Sequence, residues 1–328
     1  MNDLNRNIGT VFTHIDFDGI GSAAVLGSLF TWGGIRFTTP KQIVYDNVTD
    51  RDAVLDLPFS RRCAWWFDHH EQNFEEPSFH GIAPAEIPGL RVAAPSCARV
   101  ILRWFAESGF PCPDHFQELA DEIDLFDSML FDSIDEWLEE TPGKVVNDSL
   151  TLPDEHHRAR DQYYTRLANL LKTRPLEACA SDPEVNQRYC QYRALTEKNR
   201  DMLRKISRFH PEDDRKQLVI LDFTPLKFQP FVDRKHILID YPEVEYILCI
   251  YPYYQGQTKT NTLSLSISRN FLKKSGNGYD WGKHFAELEI GGGHRDAAGA
   301  RLEAATKAQR DKGLEDFTRG ALARIRSL

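Results

Sequence analysis

The stretch Thr10-Val11-Phe12-Thr13-His14-Ile15-Asp16-Phe17-Asp18-Gly19 decides the fold, because an apolar run ends there in a histidine, two aspartates and a glycine turn. Residues 10–14 read as a strand and Asp18-Gly19 as a sharp turn. Residues 21–30, with their small side chains, read as a helix that packs closely on a sheet and stops at Gly33-Gly34. Further short strands are expected at 35–38, 52–57 and 63–67, the last running into Phe67-Asp68-His69-His70. Strands alternating with helices imply a parallel sheet wrapped by helices. Ligands bind such sheets beyond the carboxyl ends of the strands, where each of these polar clusters falls.

The two strings offer six candidate ligands: His14, Asp16 and Asp18, then Asp68, His69 and His70. Carboxylates mixed with imidazoles suit Mn²⁺ or a similar first-row ion better than Ca²⁺ or a thiolate zinc site. If they were only core or capping groups, three polar side chains directly after Ala64-Trp65-Trp66-Phe67 would be costly.

The 328 residues suffice for two ordinary domains, and 41% apolar with 27% charged residues is a globular composition. No apolar run approaches the roughly 20 residues of a membrane span, and the polar start Met1-Asn2-Asp3-Leu4 lacks a signal-peptide core, so a cytoplasmic location and no membrane partner are expected. Six cysteines without a Cys-x-x-Cys pair point to reduced, packed thiols. A net charge of −9 argues against a long duplex as ligand. Small phosphorylated substrates remain compatible with a local basic pocket.

Val100, Ile101, Trp104 and Phe105 fall on one helical face of 96–107, with Ser96 as N-cap and Gly109 as stop, and a second helix is expected over 114–126. Residues 154–174 and 184–209 read as charged surface or connecting helices. Pro211-Glu212-Asp213-Asp214 ends them, and a strand pattern restarts at 218–221, 246–250 and 263–267, placing a boundary near residue 212. The string Gly291-Gly292-Gly293-His294-Arg295 reads as an anion-binding turn followed by a helix whose dipole adds to it. Glu155-His156-His157 reads as a solvated helix face, and Tyr251-Pro252-Tyr253-Tyr254 as the packed end of a strand or a base-stacking platform.

His14-x-Asp16-x-Asp18-Gly19, Asp68-His69-His70 and Gly291-Gly292-Gly293-His294 followed by Ala297-Ala298-Gly299 together resemble the successive motifs of the DHH phosphoesterase family with its DHH-associated C-terminal domain. The resemblance spans nearly the whole chain. It implies an α/β fold in which a parallel-sheet metal-binding domain (1–183) is joined by a helical connector (184–212) to a smaller α/β substrate-binding domain (213–328). It also implies two Mn²⁺ ions, with Mg²⁺ or Co²⁺ as substitutes, that activate water and neutralise charge on phosphoryl oxygens.

By that resemblance the ligands are His14, Asp16, Asp18, His69, a strand-end carboxylate and an aspartate following a helix. Asp56 fits the strand-end role, with Asp46 as rival, because the connection from Asp56 to the next parallel strand is short for a crossover. Asp124 is the first choice for the last ligand and Asp127 the second. Asp68 orients the site and His70 faces the scissile phosphate, while Gly292, Gly293, His294, Arg295 and Arg269 grip substrate phosphates. The implied activity is hydrolysis of short oligonucleotides or dinucleotides, as in nano-RNases, by a monomer or homodimer. The alternatives are an exopolyphosphatase, a 3′-phosphoadenosine 5′-phosphate phosphatase, and a non-catalytic nucleotide-binding protein.

Overall fold

The computed structural model describes residues 7–153, 155–227, 230–273 and 278–328, with His294 described by its backbone alone. Contacts divide the chain into two compact units, one of Met1–Leu130 with Leu138–Arg193 and one of Phe131–Trp137 with Ala194–Leu328.

The first unit is built on four strands, β1 (Asn7–Thr13), β2 (Thr31–Phe37), β3 (Ala53–Leu55) and β4 (Trp65–Phe67), in the order β2-β1-β3-β4. All three pairings are parallel. Gly33 and Gly34 do not end the first helix as expected; they lie inside β2, where Gly33 passes so close to β1 that a Cβ would sit 2.8 Å from the Gly9 carbonyl. Between β1 and β2 runs α1 (Phe17–Leu26), every residue of which is buried. Such a helix needs small residues where other chain crosses it. At Gly19 a Cβ would lie 2.4 Å from the His14 carbonyl oxygen, and at Gly21 it would meet Ile123 at 2.2 Å.

Two amphipathic helices follow, α2 (Cys97–Glu107), N-capped by Ser96 as expected, and α3 (His115–Asp127). Short helices α4 (Ile134–Leu138) and α5 (Pro142–Ser149) precede α6 (His157–Thr173), α7 (Leu176–Ala180) and α8 (Pro183–Ile206). Residues of α1, α2, α3, α5, α6 and α7 share one core with the sheet. The other sheet face carries a smaller cluster around Phe12, Ile43, Val54, Leu57, Phe59 and Trp66. The β3–β4 connection, residues 56–64, contains no helix, so a short irregular loop makes this parallel crossover. His156 caps α6 and Glu155 forms a forked ion pair with Arg188, which accounts for the second His pair structurally.

The second unit is a six-stranded mixed sheet: β5 (Ser207–Arg208), β6 (Leu218–Asp222), β7 (Tyr246–Gln255), β8 (Thr258–Arg269), β9 (Gly291–His294) and β10 (Ala297–Leu302), ordered β5-β6-β7-β8-β10-β9. Leu218, Ile220, Leu248, Leu263, Leu265 and Ile267 pack under α9 (Trp281–Glu287) and α10 (Lys307–Arg326). The glycine string is not followed by a helix. It forms the edge strand of a hairpin with β10, because Gly293 takes φ 142° and a Cβ on Gly291 would lie 2.0 Å from the Gly299 carbonyl oxygen. Tyr251 stacks on Phe223 and Arg301 lies over Tyr253, so this aromatic run is packed as part of β7.

Candidate metal centre

The carboxyl ends of β1, β3 and β4 converge, and α1 and α3 add a carboxylate each. Asp16 caps α1 by accepting from the Gly19 amide at 2.9 Å, which fixes its second oxygen toward His14 Nδ1. Asp18 lies inside the first turn of α1 and is buried. It accepts from the amides of Cys97 (2.6 Å) and Ala98 (2.9 Å) and from the Ser22 hydroxyl (3.0 Å).

Asp56 directly follows β3 and adopts φ 55°, a left-handed conformation that aspartate tolerates better than most residues but seldom uses. This twist sends Oδ2 to 3.7 Å from His14 Nδ1 and Oδ1 to 3.3 Å from His69 Nε2 and 3.7 Å from His70 Nδ1. His69 Nε2 also lies 3.8 Å from Asp18 and 3.5 Å from Asp127. Three groupings therefore have ligand atoms within 4.8 Å of one another: His14 with Asp16 and Asp56, Asp18 with His69 and Asp127, and Asp56 with His69 and His70.

The structure brings Asp127, not Asp124, into this cluster. Asp124 is three residues earlier on α3 and is occupied by the Ser96 hydroxyl at 2.5 Å and the Arg99 guanidinium at 2.7–2.9 Å. Helical geometry turns residues three apart toward neighbouring parts of one face, so a shift of one turn separates anchor from ligand. Asp46 is likewise elsewhere, paired with Arg36 at 2.5 Å and Thr38 at 2.6 Å.

Asp68 is fully buried and turned away from the groupings. It accepts from Asn73 Nδ2 at 2.7 Å and from His70 Nδ1 at 2.9 Å. Neither Asn73 nor the supporting amides of Cys97 and Ala98 was visible as a site residue in the sequence; only the expected N-cap at Ser96 hinted that a helix start would be near.

In the second unit, Arg295 donates to the Gly278 carbonyl at 2.9 and 3.2 Å, and Arg269 lies 3.6 Å from Asp296 with little exposure. Gly292 and Gly293 belong to the edge strand β9. The His294 side chain lies outside the described residues.

The electrostatics fit a cation. Burial, then the charges of Asp18, Asp16, Asp127 and Asp68, hold the Asp56 carboxyl well above the usual carboxylate range. Burial with the charges of Asp18, Asp16 and Asp124 pushes Asp127 up to about 9, and burial also raises Asp18. Asp16 is lowered: burial opposes ionisation, but the hydrogen bond and charge of His14 outweigh it. Burial works against the charged form of His70, yet its hydrogen bond to Asp68 raises it. Buried Asp56 Oδ1 and His69 Nε2 have no hydrogen-bond partner. Orphaned buried polar atoms are costly, and here an acceptor and an imidazole nitrogen are aimed at the same place.

Solved structures share this architecture. A pGpG-specific phosphodiesterase from Vibrio cholerae matches with a TM-score of 0.70 and 22% identity, over 95% of this chain and 99% of its own. The DHH domain of a member of a family of ribosomal proteins matches with a TM-score of 0.61 and 13% identity, over 96% of this chain and 87% of its own. This chain has the DHH-domain fold. The fold agrees with the order of its three sequence motifs, and the cluster at the strand ends is where the DHH resemblance placed the ligands. No protein-family model matches the chain, and no curated protein matches it in sequence.

Proposed function

We propose that this chain is a metal-dependent phosphodiesterase that hydrolyses linear dinucleotides and very short oligonucleotides with two divalent cations of the Mn²⁺ class. The observation that carries the reading is Asp56, a strained, buried carboxylate that offers one oxygen to each of two ligand groupings and has an unpartnered buried atom on one of them. In this reading His14, Asp16 and Asp56 hold one cation, and Asp18, His69 and Asp127 hold the other with Asp56 shared. Two such ions supply Lewis-acid stabilisation of phosphoryl charge and an acidified water.

The remaining work falls to side chains. Asn73 holds the Asp68 carboxylate, and Asp68 holds His70 through Nδ1, so the ring presents Nε2 to substrate. Because Asp68 favours the protonated imidazole, His70 is suited to hand a proton to the departing ribose oxygen. In the second unit, the edge strand Gly291–His294 is the proposed phosphate-binding element, since glycines let an anion approach backbone amides closely. The short-substrate reading draws support from the fold shared with a pGpG-specific phosphodiesterase over nearly all of both chains, and from the net charge of −9, which offers a long strand little footing.

The test is product analysis in Mn²⁺ with labelled linear dinucleotides, cyclic dinucleotides, 3′-phosphoadenosine 5′-phosphate and polyphosphate. Mononucleotide release from the linear dinucleotide is expected. Turnover of polyphosphate or the bisphosphate alone would move the protein to those phosphatase classes, and nucleotide binding without turnover would make it a sensor.

A further inference from the structure

We infer that the six-residue segment Ala94–Arg99 is the frame that fixes one of the two cation positions, the one formed by Asp18, His69 and Asp127, and leaves the other to be held by its own ligands. The inference rests on the two-cation reading above. Each of the three ligands is tied to this segment by a different device.

The Ala94 carbonyl lies 3.1 Å from His69 Nδ1. A carbonyl only accepts, so Nδ1 carries the proton and the Nε2 lone pair faces the cluster. The Cys97 and Ala98 amides at the start of α2 donate to the two oxygens of Asp18 at 2.6 and 2.9 Å. Asp127 is held indirectly, through the helix that carries it. Ser96 Oγ and Arg99 Nε donate to Asp124 at 2.5 and 2.9 Å, and Ser128 Oγ donates to the Pro95 carbonyl at 2.7 Å. These bonds clamp the last turn of α3 on both sides of Asp127. Arg99 also reaches Asp121 and Gln117, so its planar fork joins α2 to α3 at several points. By contrast, His14 and Asp16 bond each other, Asp16 bonds the Gly19 amide, and Asp56 is placed by the end of β3.

Arg99, Ser96 and Ser128 are therefore positioning residues, and their loss should unbalance the two positions. The test is titration of the metal-free full chain with Mn²⁺, without substrate, following free Mn²⁺ by electron paramagnetic resonance. Wild type should bind two ions. Arg99→Ala and Ser128→Ala should each weaken one of the two by roughly 10- to 100-fold, the usual effect of removing a partner that orients a ligand. The other ion should bind as in wild type, Arg99→Lys should recover part of the loss, and Arg103→Ala, whose partner is the exposed Glu107 on the same helix, should match wild type. Ser128→Ala removes one hydroxyl and keeps the test decisive if Arg99→Ala does not fold. Folded variants in which both ions weaken alike, or neither does, would overturn the inference and leave the two-cation reading intact. Wild type binding fewer than two ions would overturn that reading and this inference with it.

Discussion

Replacing Asp127 by Asn should stabilise the metal-free protein at neutral pH while impairing the loaded one. In the absence of cations the folded chain keeps a proton on Asp127 up to about pH 9, chiefly through burial, whereas the unfolded chain releases it near 3.8. Below about pH 4 both states are protonated and nothing is gained or lost. Between those values the unfolded state binds fewer protons, so stability falls as pH rises. At pH 7 the ceiling is about 1.4 kcal/mol for each of roughly three pH units, or ~4 kcal/mol. The side chain is 25% exposed, so solvent screening brings the expected effect nearer 2 kcal/mol. Asn has similar size and no charge, and removes that term. For a unit of this size the variant should melt about 4–8 °C higher than wild type at pH 7 in EDTA, with little difference at pH 4 to 5. Circular dichroism melts across pH 4 to 8 measure the gap. Saturating Mn²⁺ should abolish or reverse it, because the cations neutralise the wild-type carboxylates and the variant has lost a ligand. Parallel melting behaviour of the two proteins in EDTA at every pH would refute the reasoning.

Other consequences are more direct. Asp56→Asn should cut turnover by at least 10³-fold and lose the tighter of the two Mn²⁺ binding steps, whereas Asp46→Ala should leave Mn²⁺ stoichiometry unchanged; calorimetric titration separates them. His70→Ala should keep both ions yet lower kcat on dinucleotides by roughly 10²- to 10⁴-fold, and much less on bis(p-nitrophenyl) phosphate, whose leaving group needs no proton. Gly19→Ala would place a Cβ 2.4 Å from the His14 carbonyl oxygen, and should destabilise the first unit by about 1–3 kcal/mol in urea unfolding.

Much of this was legible in the chain because strand ends and ligands coincide there. The apolar runs before His14 and His69 marked β1 and β4, and the Ser96 N-cap marked the start of α2. The choice of Asp127 over Asp124 was not legible. Both lie on one helix, and which faces the cluster depends on Ser96 and Arg99 claiming Asp124 across a gap of 25 or more residues. Periodicity does not report such long-range bonds. Asp56 was chosen against the rule that parallel crossovers are long, and the residues 56–64 show how a loop without a helix can make one. The glycine string misled for a local reason. Its residues resemble a phosphate-binding turn, but they are glycines because two backbones pass within van der Waals contact in a hairpin, and the expected helix is β10.

The central claim is that two cations around Asp56 cleave a substrate only a few nucleotides long. The most direct measurement is kcat/KM for a series of labelled linear oligonucleotides from dimer to decamer, in Mn²⁺ and in EDTA, for wild type and Asp56→Asn. The account predicts a maximum at the shortest substrates, a decline beyond a few nucleotides, and loss of activity in EDTA and in the variant. A rate that rises steadily with length, or that survives EDTA or Asp56→Asn, would contradict it.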